Sequence, residues 1–370
     1  MNAAAARLER LAVHDFRNLA HVELQAPADG FVLIGENGQG KTNLLEAIHY
    51  FHLLRSSRGA RDQDVVRFGA DAFHLRAAVK TDRDHEISVG FERAGKRKRV
   101  RLDARIPDKL SDALGALPSV LFSPDDVALV TGAPSGRRRY LDVMLALTSR
   151  RYLHALQRYR AALAHRNAAL RDPSRSAATV AIWEQPLSEF GAQLLVERRQ
   201  WVAGIESSFT TLSSTIGETG DSRVRYASSV AIGDDPASAI ARALEDKRPS
   251  DLRRGVTQAG PHRDDLVMTL DGRDIRVFGS AGQQRTAAIV LRMLEAATFT
   301  ERTTRAPIFL LDDPFAELDA RRSTRILEWL ARDGRGQTIL AVPRDSDIPS
   351  ELTRLERLRV AGGAIERFGV

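Results

Sequence analysis

One eight-residue segment limits what this 370-residue chain can fold into more than any other feature. Gly35-Glu36-Asn37-Gly38-Gln39-Gly40-Lys41-Thr42 follows the spacing G-x-x-x-x-G-K-[ST]. The apolar run Phe31-Val32-Leu33-Ile34 precedes it, and Leu44, Leu45, Ile48 and Phe51 follow at helical spacing. A strand covered on both faces, a glycine-rich turn and an amphipathic helix let backbone N–H groups and a helix N-terminus wrap a phosphate. Gly35, Glu36, Asn37, Gly38, Gln39 and Gly40 would form that cradle. Lys41 would reach the β- and γ-phosphates of ATP, and Thr42 would hold Mg²⁺.

Such a loop needs an acidic strand beside it. Ile308-Phe309-Leu310-Leu311-Asp312-Asp313 supplies one. Asp312, at its end, would hold Mg²⁺ through water. Asp313 is placed to orient an attacking water, or alternatively to cap a turn. Ahead of this strand, Ser280-Ala281-Gly282-Gln283 opens a long helix, where Ser280 and the N–H groups after it would bind a γ-phosphate. Glu317-Leu318-Asp319 follows the strand.

The chain between these motifs changes character. Alternating segments at 8–34 and 73–102 read as strands, with the basic turn 94–99 between two of them. Leu141, Leu145, Leu153, Leu156, Leu163 and Leu170 give a helical pattern over 137–170. Asp172-Pro173-Ser174 breaks it, and a second long helical pattern runs from 183 to 216. The stretch 217–255 is polar and weakly patterned. From 256 strands return, at Leu266–Leu270, Ile308–Leu311 and Thr338–Val342. This predicts an α/β ATPase head split in sequence, with residues 1–125 and 256–370 as its two parts and a helical arm lobe, 126–255, inserted between them.

Basic residues outnumber acidic ones, 55 to 48, for a net charge of +7, and only six of them are Lys. Guanidinium groups bind phosphate with two teeth, so the balance permits a nucleic-acid partner. A genome whose codons favour Arg produces the same bias. Arg97, Lys98, Arg99, Arg137, Arg138 and Arg139 are candidate DNA contacts, with a merely solvated face as the alternative for each run. The absence of cysteine excludes a disulfide scaffold, a thiol nucleophile and a zinc–cysteine site. No run approaches the ~20 apolar residues of a membrane span, and the opening residues lack a signal-peptide core. A cytoplasmic protein without membrane partners is expected.

Taken together, these motifs resemble the SMC/ABC-type ATPase heads, and in finer detail the RecF family of bacterial recombination mediators. Gly35 to Ile48 (GENGQGKTNLLEAI), Ser57 to Gly69, Val120 to Asp142 (VLFSPDDVALVTGAPSGRRRYLD), Gln258 to Leu266 (QAGPHRDDL) and Gly279 to Thr286 (GSAGQQRT) are similar to that family's segments, in its order. The resemblance makes Ser280, Gly282 and Gln283 the signature motif and Glu317 and Asp319 the D-loop. It implies an SMC-like head with a short helical lobe, and ATP shared between two copies: Lys41, Thr42 and Asp312 from one, Ser280 from the other. It also implies binding to DNA gaps and single-strand/double-strand junctions, and work with RecO and RecR in loading RecA, in repair, replication restart and the SOS response.

The sequence departs from the pattern in places. ABC and SMC heads usually carry Glu where Asp313 stands. The shorter side chain predicts a slow ATPase, below the median enzyme turnover of about 10 s⁻¹. The segment after 342 is Pro343-Arg344-Asp345, with no His, leaving Arg344 as the candidate γ-phosphate sensor; Ser123-Pro124-Asp125-Asp126 is the candidate Q-loop. Arg58 and Arg61 are open between nucleotide contact and solvent, and His262 between the nucleotide and a structural carboxylate contact. Two other readings remain: a different SMC/ABC-type head, acting on DNA or as a transporter motor, and a plain P-loop kinase.

Overall fold

The computed structural model describes residues 4–174, 176–231, 233–315, 318–331 and 336–367. The chain forms two compact units, Met1–Asp126 with Arg292–Val370, and Val127–Leu291.

The first unit holds two larger sheets. In the six-stranded sheet the order is Ala364–Arg367, Glu356–Ala361, Gly30–Ile34, Thr338–Val342, Ile308–Asp312 and Ser119–Phe122. All its pairings are parallel except that of Ala364–Arg367. The strands Gly30–Ile34, Thr338–Val342 and Ile308–Asp312 are buried at every residue. That accounts for their unbroken apolar sequences, since a parallel strand is covered on both faces. The two motif-bearing strands flank Thr338–Val342 and run the same way, so their carboxyl ends open at one edge, where ligands sit in sheets of this kind.

The antiparallel five-stranded sheet has the order Leu19–Gln25, Arg7–Phe16, Ala72–Lys80, Asp84–Glu92 and Arg97–Leu102. Its strands alternate, with Leu11, Val13, Leu75, Ala77, Val79, Ile87, Val89 and Val100 on the buried face. These residues share one core with Leu44, Leu45, Ile48 and Phe51 of the helix Lys41–Leu53 and with Phe31, Leu33, Leu310 and Ile339 of the other sheet. Phe16 meets Phe73 and Tyr50 edge to face, with centroids 5.4 and 5.9 Å apart.

The second unit contains the helices Pro134–Thr148, Arg150–Arg171, Glu184–Ile216 and Pro236–Arg254 and a three-stranded sheet, Arg273–Asp274, Asp265–Leu270, Ser222–Ala227. Two expectations are corrected here, and one segment without a reading is filled in. The pattern over 137–170 is two helices, because Ser149 is extended and its Oγ accepts the Tyr152 N–H as a cap. The polar stretch 217–255 holds a strand and a helix; Asp235 caps the helix by accepting from the N–H groups of Ala237 and Ser238. Residues 256–291 fall with the helical unit rather than with the head, so the second part of the sheet unit begins at 292. The physical reason is pairing: Asp265–Leu270 is antiparallel to Ser222–Ala227, with Leu266 and Met268 buried beneath.

A few of this unit's arginines are buried inside it. Arg166 is fully buried, donating to Asp251 (2.7 Å), Thr257 (2.9 Å) and Glu184 (3.0 Å). Arg198 is buried on Asp142 (2.6 Å), the Tyr152 hydroxyl and the Pro261 carbonyl (both 2.8 Å). Among the described residues no helix is long and apolar enough to cross a membrane.

Candidate nucleotide site

The glycine-rich loop crosses from the strand Gly30–Ile34 to the helix Lys41–Leu53, and its glycines have separate reasons. A Cβ at Gly35 would stand 2.3 Å from the Val360 carbonyl oxygen of the neighbouring strand. Gly40 has φ +118, and a Cβ there would also press on Asn18. Lys41 is buried and donates to the carbonyls of Gly35 (2.5 Å) and Glu36 (2.9 Å), closing the loop on itself. Burial lowers its pKa, and the charges of Asp312 and Asp313 oppose that shift.

Thr42 Oγ1 donates to Asp312 Oδ1 at 3.0 Å, joining the first turn of the loop helix to the acidic strand end. Burial raises the Asp312 pKa against the opposing Thr42 bond and the Lys41 charge. A hydroxyl and a carboxylate side by side are the hard oxygen donors that Mg²⁺ takes, so the residues present fit that ion. Asp313 has left-handed backbone, φ 44, and its N–H donates to the Ala341 carbonyl at 3.0 Å. Gly38, Lys41, Thr42, Asp312 and Asp313 line one cleft of ≈ 410 Å³.

The same cleft is lined by Asn43, Arg58, Pro124 and Pro343. Arg58 donates to Asn43 Oδ1 at 2.6 Å and to Glu46 through Nε at 3.0 Å and through Nη2. Glu46 is buried on the loop helix and also receives Arg17 Nε and Nη2, both 3.0 Å, and the Ser56 hydroxyl. Sequence reasoning missed Glu46. Its signal was a carboxylate among Leu44, Leu45 and Ile48 on a buried helix face, which requires cations nearby. Of the candidate Q-loop, Pro124 reaches the cleft, while Asp126 is buried against Arg292 at 2.7 Å.

In the helical unit, Ser280 and Gln283 form a reciprocal cap at the start of the helix Ala281–Thr303. The Ser280 N–H donates to Gln283 Oε1 at 2.8 Å, and the Gln283 N–H to Ser280 Oγ at 3.3 Å. Gly282 lies in that first turn.

The sequence model of the RecF/RecN/SMC N terminal domain matches residues 7–357. The DNA replication and repair protein RecF of Anaeromyxobacter dehalogenans is 40% identical over 340 residues, covering 88% of this chain and 89% of that protein. RecF of Symbiobacterium thermophilum is 37% identical over 330 residues, covering 86% and 87%. This chain belongs to the RecF family. The structure of the recombination mediator protein RecF with ATP, of the RecFOR pathway, superposes with a TM-score of 0.91 at 27% identity and covers 99% of both chains. The fold is thus the SMC/ABC-like ATPase head of that family.

Within this RecF-family chain the remaining predicted residues are placed as follows. Asp319 caps the helix Ala320–Leu330, accepting the Arg322 N–H at 2.9 Å, while Glu317 lies outside the described residues. Arg97, Arg99 and Arg139 are exposed, and Arg138 is half-buried on the Asp264 carbonyl at 2.8 Å. Two DNA candidates are corrected. Lys98 turns inward over the Tyr50 ring, donating to the Leu54 carbonyl and to Asp62 at 3.1 Å. Arg137 is buried in a two-toothed pair with Asp265, 2.7 and 2.9 Å. His262 bonds the Tyr159 hydroxyl (2.7 Å) and the Thr257 carbonyl (3.0 Å) rather than a carboxylate. Arg61 pairs with Asp64 in solvent, and Arg344 is exposed.

Proposed function

We propose that this chain is an ATP-switched recombination mediator. Its glycine-rich loop, Gly35 to Gly40, holds ATP phosphates, Lys41 binds the β- and γ-phosphates, and Asp313 orients the attacking water. Mg²⁺, held by Thr42 and Asp312, neutralises phosphate charge when bound. Ser280, Gly282 and Gln283 of the partner subunit complete the site, so that ATP binding joins two copies on DNA and slow hydrolysis releases them. Glu317 and Asp319 serve the same interface. In the cytoplasm the dimer recognises gapped or junction DNA, and with RecO and RecR promotes RecA loading in repair, replication restart and SOS induction.

The observation that carries the nucleotide reading is the 3.0 Å contact of Thr42 with Asp312 at the mouth of the cleft. Family membership and the RecFOR setting of the RecF–ATP structure support the rest. The test is solution mass by light scattering, with and without a non-hydrolysable ATP analogue. A monomer that doubles in mass only with nucleotide is the expected result. Ser280→Arg should keep nucleotide binding and stay monomeric. A wild-type mass indifferent to nucleotide and to DNA would remove the shared-site reading.

A further inference from the structure

The five-stranded sheet has a second face that the nucleotide site does not use. Along the edge strand Arg97–Leu102, alternation sends Lys98 and Val100 inward and Arg97, Arg99 and Arg101 to the outer face. All three are exposed, and none makes an ion pair with the described residues. Alternate residues of a strand stand about 6.8 Å apart, a step comparable to that between phosphates of an extended nucleic-acid strand.

The floor beside this row is bare. Arg99 pairs across the sheet with Gly90, Gly90 with His74, and His74 with His14. The missing side chain at Gly90 and the small one at Ser88 leave a cleft of ≈ 540 Å³. Burial, with the charges of His14, Arg76 and Arg101, lowers the His74 pKa, as expected under a positive field. The acids on the rim are Asp15, Asp71 and Glu92, and Arg67 holds Asp15 at 2.6 Å.

Beside the cleft rises the turn Arg67-Phe68-Gly69-Ala70. The Arg67 N–H donates to the Asp15 carbonyl at one end, and the chain leads directly into Asp71 and Ala72 at the other. Phe68 in this turn is 97% exposed. A wholly exposed phenyl ring in a turn that leads into the rim of a cleft edged by unpaired guanidinium groups supplies the two elements that single-stranded nucleic acid uses, base on ring and phosphates on cations.

We propose that the outer face of this sheet is a single-strand DNA track: phosphates lie along Arg97, Arg99 and Arg101, and an unpaired base stacks on Phe68. This rests on the DNA-binding reading above and gives it a location.

The experiment is fluorescence anisotropy of the full chain with a non-hydrolysable ATP analogue, against a labelled oligo-dT and a blunt duplex of the same length. Arg99→Glu with Arg101→Glu should weaken oligo-dT binding at least tenfold and flatten its salt dependence by about 0.7 per lost phosphate contact, with ATP binding and melting temperature retained. Phe68→Ala should weaken oligo-dT by about fivefold or more and leave the duplex unchanged. Arg354→Glu, an exposed position beyond this sheet, should change neither. Wild-type affinity in the double variant, or an equal loss in Arg354→Glu, overturns the track. Loss of both probes alike in Phe68→Ala overturns the stacking role. If the wild-type chain binds neither probe, the DNA reading itself falls, and this site with it.

Discussion

Particular arginines of the helical unit and of the sheet unit sit in contrasting settings. In Val127–Leu291, Arg137, Arg166 and Arg198 have side chains no more than 3% exposed, each against a carboxylate. In the sheet unit, Arg97, Arg99 and Arg101 face solvent and pair with no carboxylate among the described residues. The difference teaches that the same residue is a fastener where packed helices enclose polar groups, and is left available to a partner where a sheet edge leaves it uncovered. A buried pair is costly to break because the surviving partner is left charged and desolvated. An exposed arginine can be removed with little effect on the fold.

The largest expected effect breaks the comparison at its firmest point. Arg166→Ala leaves Asp251, itself fully buried, without its cation. It should lower unfolding free energy by about 3–5 kcal/mol in denaturant titrations, whereas Arg99→Ala should stay within about 0.5 kcal/mol of wild type. Equal costs at the two positions would dissolve the distinction.

Acid should act on both units. His262 lies between Tyr159 and Thr257, and burial pushes its pKa down to about 4, below the ordinary 6.5. The unfolded chain therefore takes up the proton first. The stability this histidine contributes is complete above pH 6.5 and is lost as pH falls toward 4, at a slope approaching 1.4 kcal/mol per pH unit. His52, in the sheet unit, is held lower still, at about 3, so its loss extends further into acid. Denaturation series should show His262→Gln with a shallower decline between pH 6.5 and 4 than wild type. An unchanged slope would take His262 out of the account.

What was legible in the sequence follows from the range of each interaction. The loop was readable because Gly35 and Gly40 answer to backbone geometry within one turn, and Asp312 because an acid ending an apolar strand is a local pattern. The reciprocal bonds of Ser280 and Gln283 are three residues apart. By contrast, Arg166 finds Asp251 at a separation of 85 residues, and Arg137 finds Asp265 at 128. Nothing local separates such an arginine from a solvated one, so Arg137 read as a DNA contact. Lys98 was misread for a simpler reason: as a basic turn the segment has no faces, whereas as a strand its alternate residues divide between core and solvent. The strand Ser222–Ala227 escaped because its alternation, Ser-Arg-Val-Arg-Tyr-Ala, is mostly polar and half-exposed.

Within the sheet unit, nucleotide binding and stability should separate. Lys41→Met removes the ammonium but keeps an unbranched side chain in a buried position. ATP-analogue affinity should fall by about tenfold to a hundredfold, the range for hydrogen bonds to a charged group, while the melting temperature changes little. The check is a fluorescent-nucleotide titration beside a thermal melt. A large stability loss with intact nucleotide affinity would recast Lys41 as a strut for the carbonyls of Gly35 and Glu36.

The smallest expected effect on stability is also the sharpest test of what the signature residues are for. Ser280 caps a helix, and a cap alone explains its place in the sequence; Ser280→Ala should cost about 1 kcal/mol for that reason. Aspartate is an equally good cap, so Ser280→Asp should restore the stability that alanine loses. If Ser280 also meets a phosphate bound to the partner subunit, the new carboxylate sets negative charge against negative charge, and nucleotide-driven dimerisation should disappear in Ser280→Asp although its melt is that of wild type. Dimers of normal strength in that variant would reduce Ser280 to a cap. Stability restored and assembly lost is the combination expected of a phosphate-facing serine, because the two roles respond oppositely to one added charge.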